Sequence, residues 1–199
     1  MRRNRDDAAQ PLPEAPARCD AARRQAVVRE AHRLGVPSGY ARERGLRIQP
    51  EPARLECIGR DIHDRAQWLA PRAARAFLRM RDAAAADGIA LQVVSAFRSA
   101  DHQLGILRRK LERGIAMDAI LSVSAAPGYS EHHTGRAVDI TTPGFAALEE
   151  EFDASPAFAW LERNARRFGF RLSFPRDNPH GIAYEPWHWC WRGSSRSAT

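Results

Sequence analysis

PGYSEHHTGRAVDI, residues Pro127–Ile140, decides how this 199-residue chain is read. Pro127-Gly128 signals a turn, and Gly135 permits a tight or left-handed backbone. From Arg136 the pattern alternates. Ala137 and Asp139 share one face of an expected strand, and Val138 and Ile140 take the other. A strand carboxylate that closely follows histidines in a turn is the beginning of a metal site. His132 and His133 compete for the ligand position, and one further histidine is needed.

The chain supplies it near its end, in YEPWHWCW, Tyr184–Trp191. Glu185 and His188 are three apart, a spacing that points to opposite faces of a regular strand. Pro186 cannot donate to a central ladder, so a bulge or an edge is expected there, and such a kink turns both side chains toward one cavity. Trp187, Trp189 and Trp191 read as core and wall, and Cys190 as buried filler. His132, Asp139 and His188 together give two imidazoles and a carboxylate, a donor set that suits zinc with a position left for water. Zinc makes water acidic, and Glu185 is placed to take the proton and return it to a leaving amine. By itself, a His–Asp pair in a turn is more often a hydrogen-bonded structural pair. His133 then reads as solvent-facing or as support for a ligand, His180 as an exposed loop residue, and His32, His63 and His102 as surface groups.

A third stretch, SAFRSADHQ (Ser95–Gln103), follows the apolar run Ile89–Ala96, the first clear strand. Arg98 stands where a strand end opens, and an arginine can grip a carboxylate with two parallel bonds. Ser99 caps a helix expected to run to Arg113, with Gln103 over its first turn. Elsewhere the pattern predicts helices over Ala21–Leu34, Pro71–Asp87 and Ser155–Phe168, and strands at Ala137–Thr141, Phe170–Phe174 and Ala183–Trp191. Residues 38–60 read as irregular, and Met117–Val123 is open between helix and strand. With no repeat and no regular β-α-β alternation, the class is α+β, a small, mostly antiparallel sheet flanked by helices.

Composition bounds the function. Apolar residues (44%) and charged residues (28%) are ordinary for a globular chain, which is long enough for one sizeable domain. The net charge of +7 comes almost wholly from arginine, with Lys110 the single lysine. The arginines alternate with acids and form no basic block, so no nucleic acid partner is expected. Cys19, Cys57 and Cys190 are far apart, odd in number and without CxxC spacing, which favours free thiols over a disulfide framework. Residues 1–20 read as a disordered leader without a secretory core, 21–60 as a helix and wrapping segment, 61–193 as the catalytic domain and 194–199 as a disordered tail. No membrane span is expected. The expected state is a cytoplasmic monomer, or a periplasmic one if an upstream start is missing.

SAFRSxxxQ, PGYSEHHTGRAVDI and YEPWHW, in this order, resemble the VanY-type D-alanyl-D-alanine carboxypeptidases, zinc peptidases of the lysostaphin and hedgehog superfamily. The resemblance covers roughly residues 60–193 and implies that superfamily's fold. It implies zinc on His132, Asp139 and His188, Glu185 as the catalytic base, and Arg98 as the residue that contacts substrate and stabilises the developing oxyanion. It implies that Gln103 and Ser130 help hold the C-terminal residue of the peptide. In that pattern the spacing to Gly135, Ala137 and Asp139 selects His132, and His133 becomes a bystander. The implied substrate is a peptidoglycan stem peptide losing a terminal D-alanine. An L,D-carboxypeptidase trimming recycled muropeptides and an endopeptidase of the superfamily are the enzyme alternatives, and a zinc-binding recognition module is the non-enzyme one. Phe97 replaces the family's usual tyrosine, a hydroxyl lost near the expected pocket. Cys190 stands where many members have arginine.

Overall fold

The computed structural model describes residues 13–193. The expected tail lies outside them, as does most of the expected leader. The described end of that leader is fixed against the body. Cys19 is buried, its N–H donates to Glu51, and its thiol donates to Asp101 at 3.1 Å.

Four strands form the sheet that carries the site: β3 (Gln92–Ser95), β4 (Ala137–Thr141), β5 (Phe170–Leu172) and β6 (His188–Trp191). Their order is β3-β4-β6-β5, every pair antiparallel. The α+β expectation is met. β4 is central and buried along its whole length. Its alternation divides the sheet into two chemistries. Val138, Ile140 and, across on β6, Trp189 enter the main apolar core with Phe77 and Met80 of α3 (Pro71–Ala86) and Leu161 of α6 (Pro156–Asn164). Ala137 and Asp139 face the other way. α3 begins with its proline in the first turn, and α6 begins at Ser155, whose hydroxyl accepts from the Phe158 N–H. Beyond Asn164 the expected long helix tightens into a 3-10 turn, Ala165–Phe168.

A second apolar cluster lies beside the first. It joins Val27, Val28 and Ala31 of α1 (Ala21–Arg33) to Leu104 and Leu107 of α4 (Ala100–Glu112) and Ile120 and Leu121 of α5 (Met117–Ser122). A single-turn helix, α2 (Tyr40–Glu43), adds Tyr40, which meets Tyr129 edge-on. The open reading at 117–123 therefore resolves as a short helix.

Residues 38–60 are not wholly irregular. Glu56–Arg60 forms β1 and pairs with β2 (Ala66–Leu69), so an antiparallel hairpin spans the expected boundary at residue 60. Gly59 sits at an irregularity of register with φ of +104°, which breaks the alternation that identifies a strand.

Candidate active site

Three elements converge on the polar side of the sheet. Asp139 of β4 and His188 of β6 are direct cross-strand partners, so the pleat puts both side chains on the same face. His132 comes from a 3-10 turn, Glu131–Thr134, capped by the Ser130 hydroxyl, which accepts from the His132 N–H at 3.3 Å. The turn ends at Gly135 in the left-handed region. A Cβ there would meet the Ala70 nitrogen at 2.9 Å, on the hydrogen bond that Ala70 N–H donates to the Gly135 carbonyl.

His132 Nε2 lies 3.2 Å from one Asp139 oxygen and His188 Nδ1 lies 3.0 Å from the other. All three residues are buried, and their ligand atoms lie within 4.8 Å of one another. The second nitrogen of each imidazole is already committed. His132 Nδ1 donates to the Ala96 carbonyl at 2.7 Å, and His188 Nε2 donates to Glu131 at 3.1 Å. Ligand histidines are oriented in this way, and two imidazoles with a carboxylate suit zinc. The residues present fit such an ion.

Glu185 reaches the same place through a turn and not through a strand. Its carbonyl accepts from the His188 N–H, so residues 185–188 fold back, and β6 starts only at His188. The expected strand from Ala183 is therefore shorter, and the kink at Pro186 brings the Glu185 carboxylate to 3.7 Å from His188. Burial pushes Glu185 up to about 7; His188 pulls against this and Asp139 adds to it. Burial also disfavours charge on His188, but hydrogen bonds to Asp139 and Glu131 raise it to about 10. Burial likewise opposes charge on Asp139, yet His132 and His188 hold it well below the usual carboxylate range.

These groups open onto a cavity of about 420 Å³ that is also lined by Arg98, Ser130 and Glu131. Arg98 faces it with no hydrogen-bond partner on its buried Nε. Burial lowers the Arg98 pKa, while Asp139 and Glu185 support its charge.

Gln103 is placed differently from the expected substrate contact. It is not among the residues lining this cavity. Its amide donates to the Ser124 hydroxyl at 2.9 Å and the Ala125 carbonyl at 3.1 Å, bracing the wall from behind. Phe97 also lies off the cavity, in a surface recess with Trp68 and His102, so no hydroxyl is missing from the pocket. His133 is not solvent-facing. It is fully buried, its Nδ1 donates to the Arg98 carbonyl at 2.6 Å and its Nε2 accepts from the Gly128 N–H at 3.1 Å. Burial drops its pKa to about 3, which keeps it neutral and able to serve both partners. His180 is half-buried against the Arg44 carbonyl. Cys190 shares the face of His188 but is not one of the converging ligands, and all three cysteines are free.

The residue that sequence reasoning missed is Glu131. Besides His188 it accepts from the Ser173 hydroxyl at 2.6 Å and pairs with Arg192. Its only signal was its place between the capping serine and the ligand histidine.

The family model for VanY, D-alanyl-D-alanine carboxypeptidase, matches residues 66–194. This chain belongs to that family. Among curated VanY relatives, the D-alanyl-D-alanine carboxypeptidase of Enterococcus faecalis is 34% identical over 122 residues, which is 56% of this chain and 44% of the relative. The chain thus spans less than half the length of that protein. Among solved structures, the LdcB LD-carboxypeptidase aligns with a TM-score of 0.60 at 32% identity, covering 80% of this chain and 70% of that one. A variant of the vancomycin-resistance D,D-pentapeptidase VanY from a VanB-type cassette, in complex with Zn(II), aligns with a TM-score of 0.56 at 30% identity, covering 74% and 85%. The fold is therefore the one shared by VanY-type zinc peptidases.

Proposed function

We propose that this chain is a zinc-dependent D,D-carboxypeptidase that removes the terminal D-alanine from peptidoglycan stem peptides. The observation that carries this reading is the convergence of His132, Asp139 and His188 at a cavity that also holds Glu185. A purely structural metal site needs no such base, which counts against the recognition-module alternative. When bound, zinc supplies Lewis acidity that polarises the scissile carbonyl and makes water more acidic. Glu185, raised into the neutral range, accepts the proton of the attacking water and delivers it to the leaving amine. Arg98 offers a fixed cation to the negative charge that develops on the carbonyl oxygen. Ser130 holds the His132 turn and presents its side to the peptide.

The test is product analysis on a pentapeptide stem, a tetrapeptide stem and a cross-linked dimer. D-alanine released from the pentapeptide is the expected result, and release from none of the three overturns the proposal. The likeness to LdcB favours one second reading, L,D cleavage, which predicts release from the tetrapeptide instead. Glu185→Ala is expected to keep zinc and to lower kcat by about 10²–10⁴. Unchanged turnover would remove Glu185 from the mechanism.

Among the described residues no helix is long and apolar enough to cross a membrane. We further propose a monomer working in the cytoplasm, where three free thiols are at home. Light scattering and cell fractionation check these two points.

A further inference from the structure

The cavity contains more positive charge than its own acids use. Glu131, Asp139 and Glu185 all lie against His188, and Asp139 also faces His132. Arg98 and Lys110 line the same cavity, and neither side chain donates a hydrogen bond or joins an ion pair among the described residues. Lys110 is half-buried in the last turn of α4. Gln103, Ile106 and Lys110 follow one another at helical spacing. Ile106 and Lys110 reach the cavity, while Gln103 braces the Ser124–Ala125 part of its wall from behind. Burial lowers the Lys110 pKa, and the nearby cations Arg98 and Arg113 lower it further, whereas the charge of Arg98 is opposed by burial and supported by Asp139 and Glu185. Arg98 and Lys110 therefore share one cavity with His132, Asp139, Glu185 and His188.

Two unpaired cations lining one cavity call for an anion. In the substrate class proposed above, on which this inference rests, the leaving residue ends in a free carboxylate. Covalent geometry places it about 4–6 Å from the scissile carbonyl. A guanidinium offers such a group a fork, and an ammonium adds a compact charge on a flexible stem.

We infer that Lys110 is a specificity-determining residue: together with Arg98 it takes the free C-terminal carboxylate of the leaving residue and confines the chain to the last peptide bond. An internal bond presents an uncharged amide there and leaves the Lys110 ammonium desolvated without a partner, which disfavours endopeptidase action.

The experiment compares a pentapeptide stem with its C-terminal amide on the zinc-loaded protein and on Lys110→Met and Lys110→Arg. Methionine keeps helix propensity and much of the side-chain volume, and thermal melting of each variant checks folding. The wild type is expected to favour the acid. Lys110→Met should raise KM for the acid roughly tenfold, with kcat little changed and the amide unaffected. Lys110→Arg should recover most of the acid preference. Equal losses on acid and amide would make Lys110 merely structural, and an unchanged acid-to-amide ratio would also overturn the inference. Calorimetric binding of D-alanyl-D-alanine and its amide to zinc-loaded Glu185→Ala, with and without Lys110→Met, reads the same ratio without turnover. If the wild type cleaves no stem, the proposed function falls while this binding ratio still decides the role of Lys110.

Discussion

Glu131 shows how much of a metal site lies behind its ligands. The carboxylate accepts from His188 Nε2 and the Ser173 hydroxyl and pairs with Arg192, so it fixes both the position and the ring orientation of His188. Burial works against its charge, but the hydrogen bond and charge of His188 hold it well below the usual carboxylate range. Loss of such a partner typically weakens metal affinity 10–100-fold. Glu131→Gln keeps the shape but removes the charge and should weaken zinc by about tenfold; Glu131→Ala should weaken it by up to about 100-fold. Competition against a chromophoric chelator measures both, and wild-type affinity in both variants would show that His188 needs no such support. His133 works one step further out. Its two hydrogen bonds tie the Arg98 carbonyl to the Gly128 amide, and the Arg98 N–H donates in turn to the His132 carbonyl. The His132 turn and the cavity-lining Arg98 are therefore held by one another.

At the scale of elements, the β1–β2 hairpin reaches the site through a chain of polar contacts. Asp61, with no exposed side-chain surface, accepts from the N–H groups of His63 and Arg65, from Arg65 Nε and from the Gln67 amide. Gln67 accepts from the Ala96 N–H, and the Ala96 carbonyl accepts from His132. Burial opposes charge on Asp61, but the backbone bonds from Arg65 and His63 and the Arg65 side chain lower its pKa. Its contribution is therefore complete above the unfolded value of about 4 and is lost as pH falls through the lower folded value. Asp61→Asn should cost about 2 kcal/mol near neutrality, with the gap to wild type closing in acid; urea titrations from pH 7 to pH 3 measure it. A constant gap would show that the charge of Asp61 is not what matters. This hairpin was not legible in the sequence. Gly59 interrupts its first strand, and its turn, Ile62-His63-Asp64, contains neither glycine nor proline, with Asp64 itself at φ of +61°. The candidate ligand group was legible in part: strand alternation marks Asp139 against its neighbours, while the choice of His132 over His133 comes from the family resemblance and not from local rules. Gln103 and Phe97 were not, since a side chain's direction at an element's end depends on what packs against it. For Gln103 that is the Ser124–Ala125 wall, which no spacing rule reveals.

In the molecule as a whole, the site occupies the junction of two apolar clusters. Val138 and Trp189, on the strands of Asp139 and His188, belong to the core built on α3 and α6. Tyr129, just before the His132 turn, belongs to the cluster built on α1, α4 and α5. A metal held by His132, Asp139 and His188 therefore ties a turn anchored in the second cluster to two strands anchored in the first. It also neutralises buried acids that otherwise rely on imidazoles for compensation. An ion that binds the folded chain and not the unfolded one stabilises it by about 2.7 kcal/mol when present at 100 times its Kd. For a domain of this size, that corresponds to a rise in Tm of roughly 5–11 °C. Calorimetry with excess zinc, then after chelation and dialysis, should show this shift, and it should disappear in His188→Ala. The same rise in His188→Ala would place the stabilising ion elsewhere. No rise in the wild type would mean that the three ligands do not bind zinc tightly enough to link the two clusters.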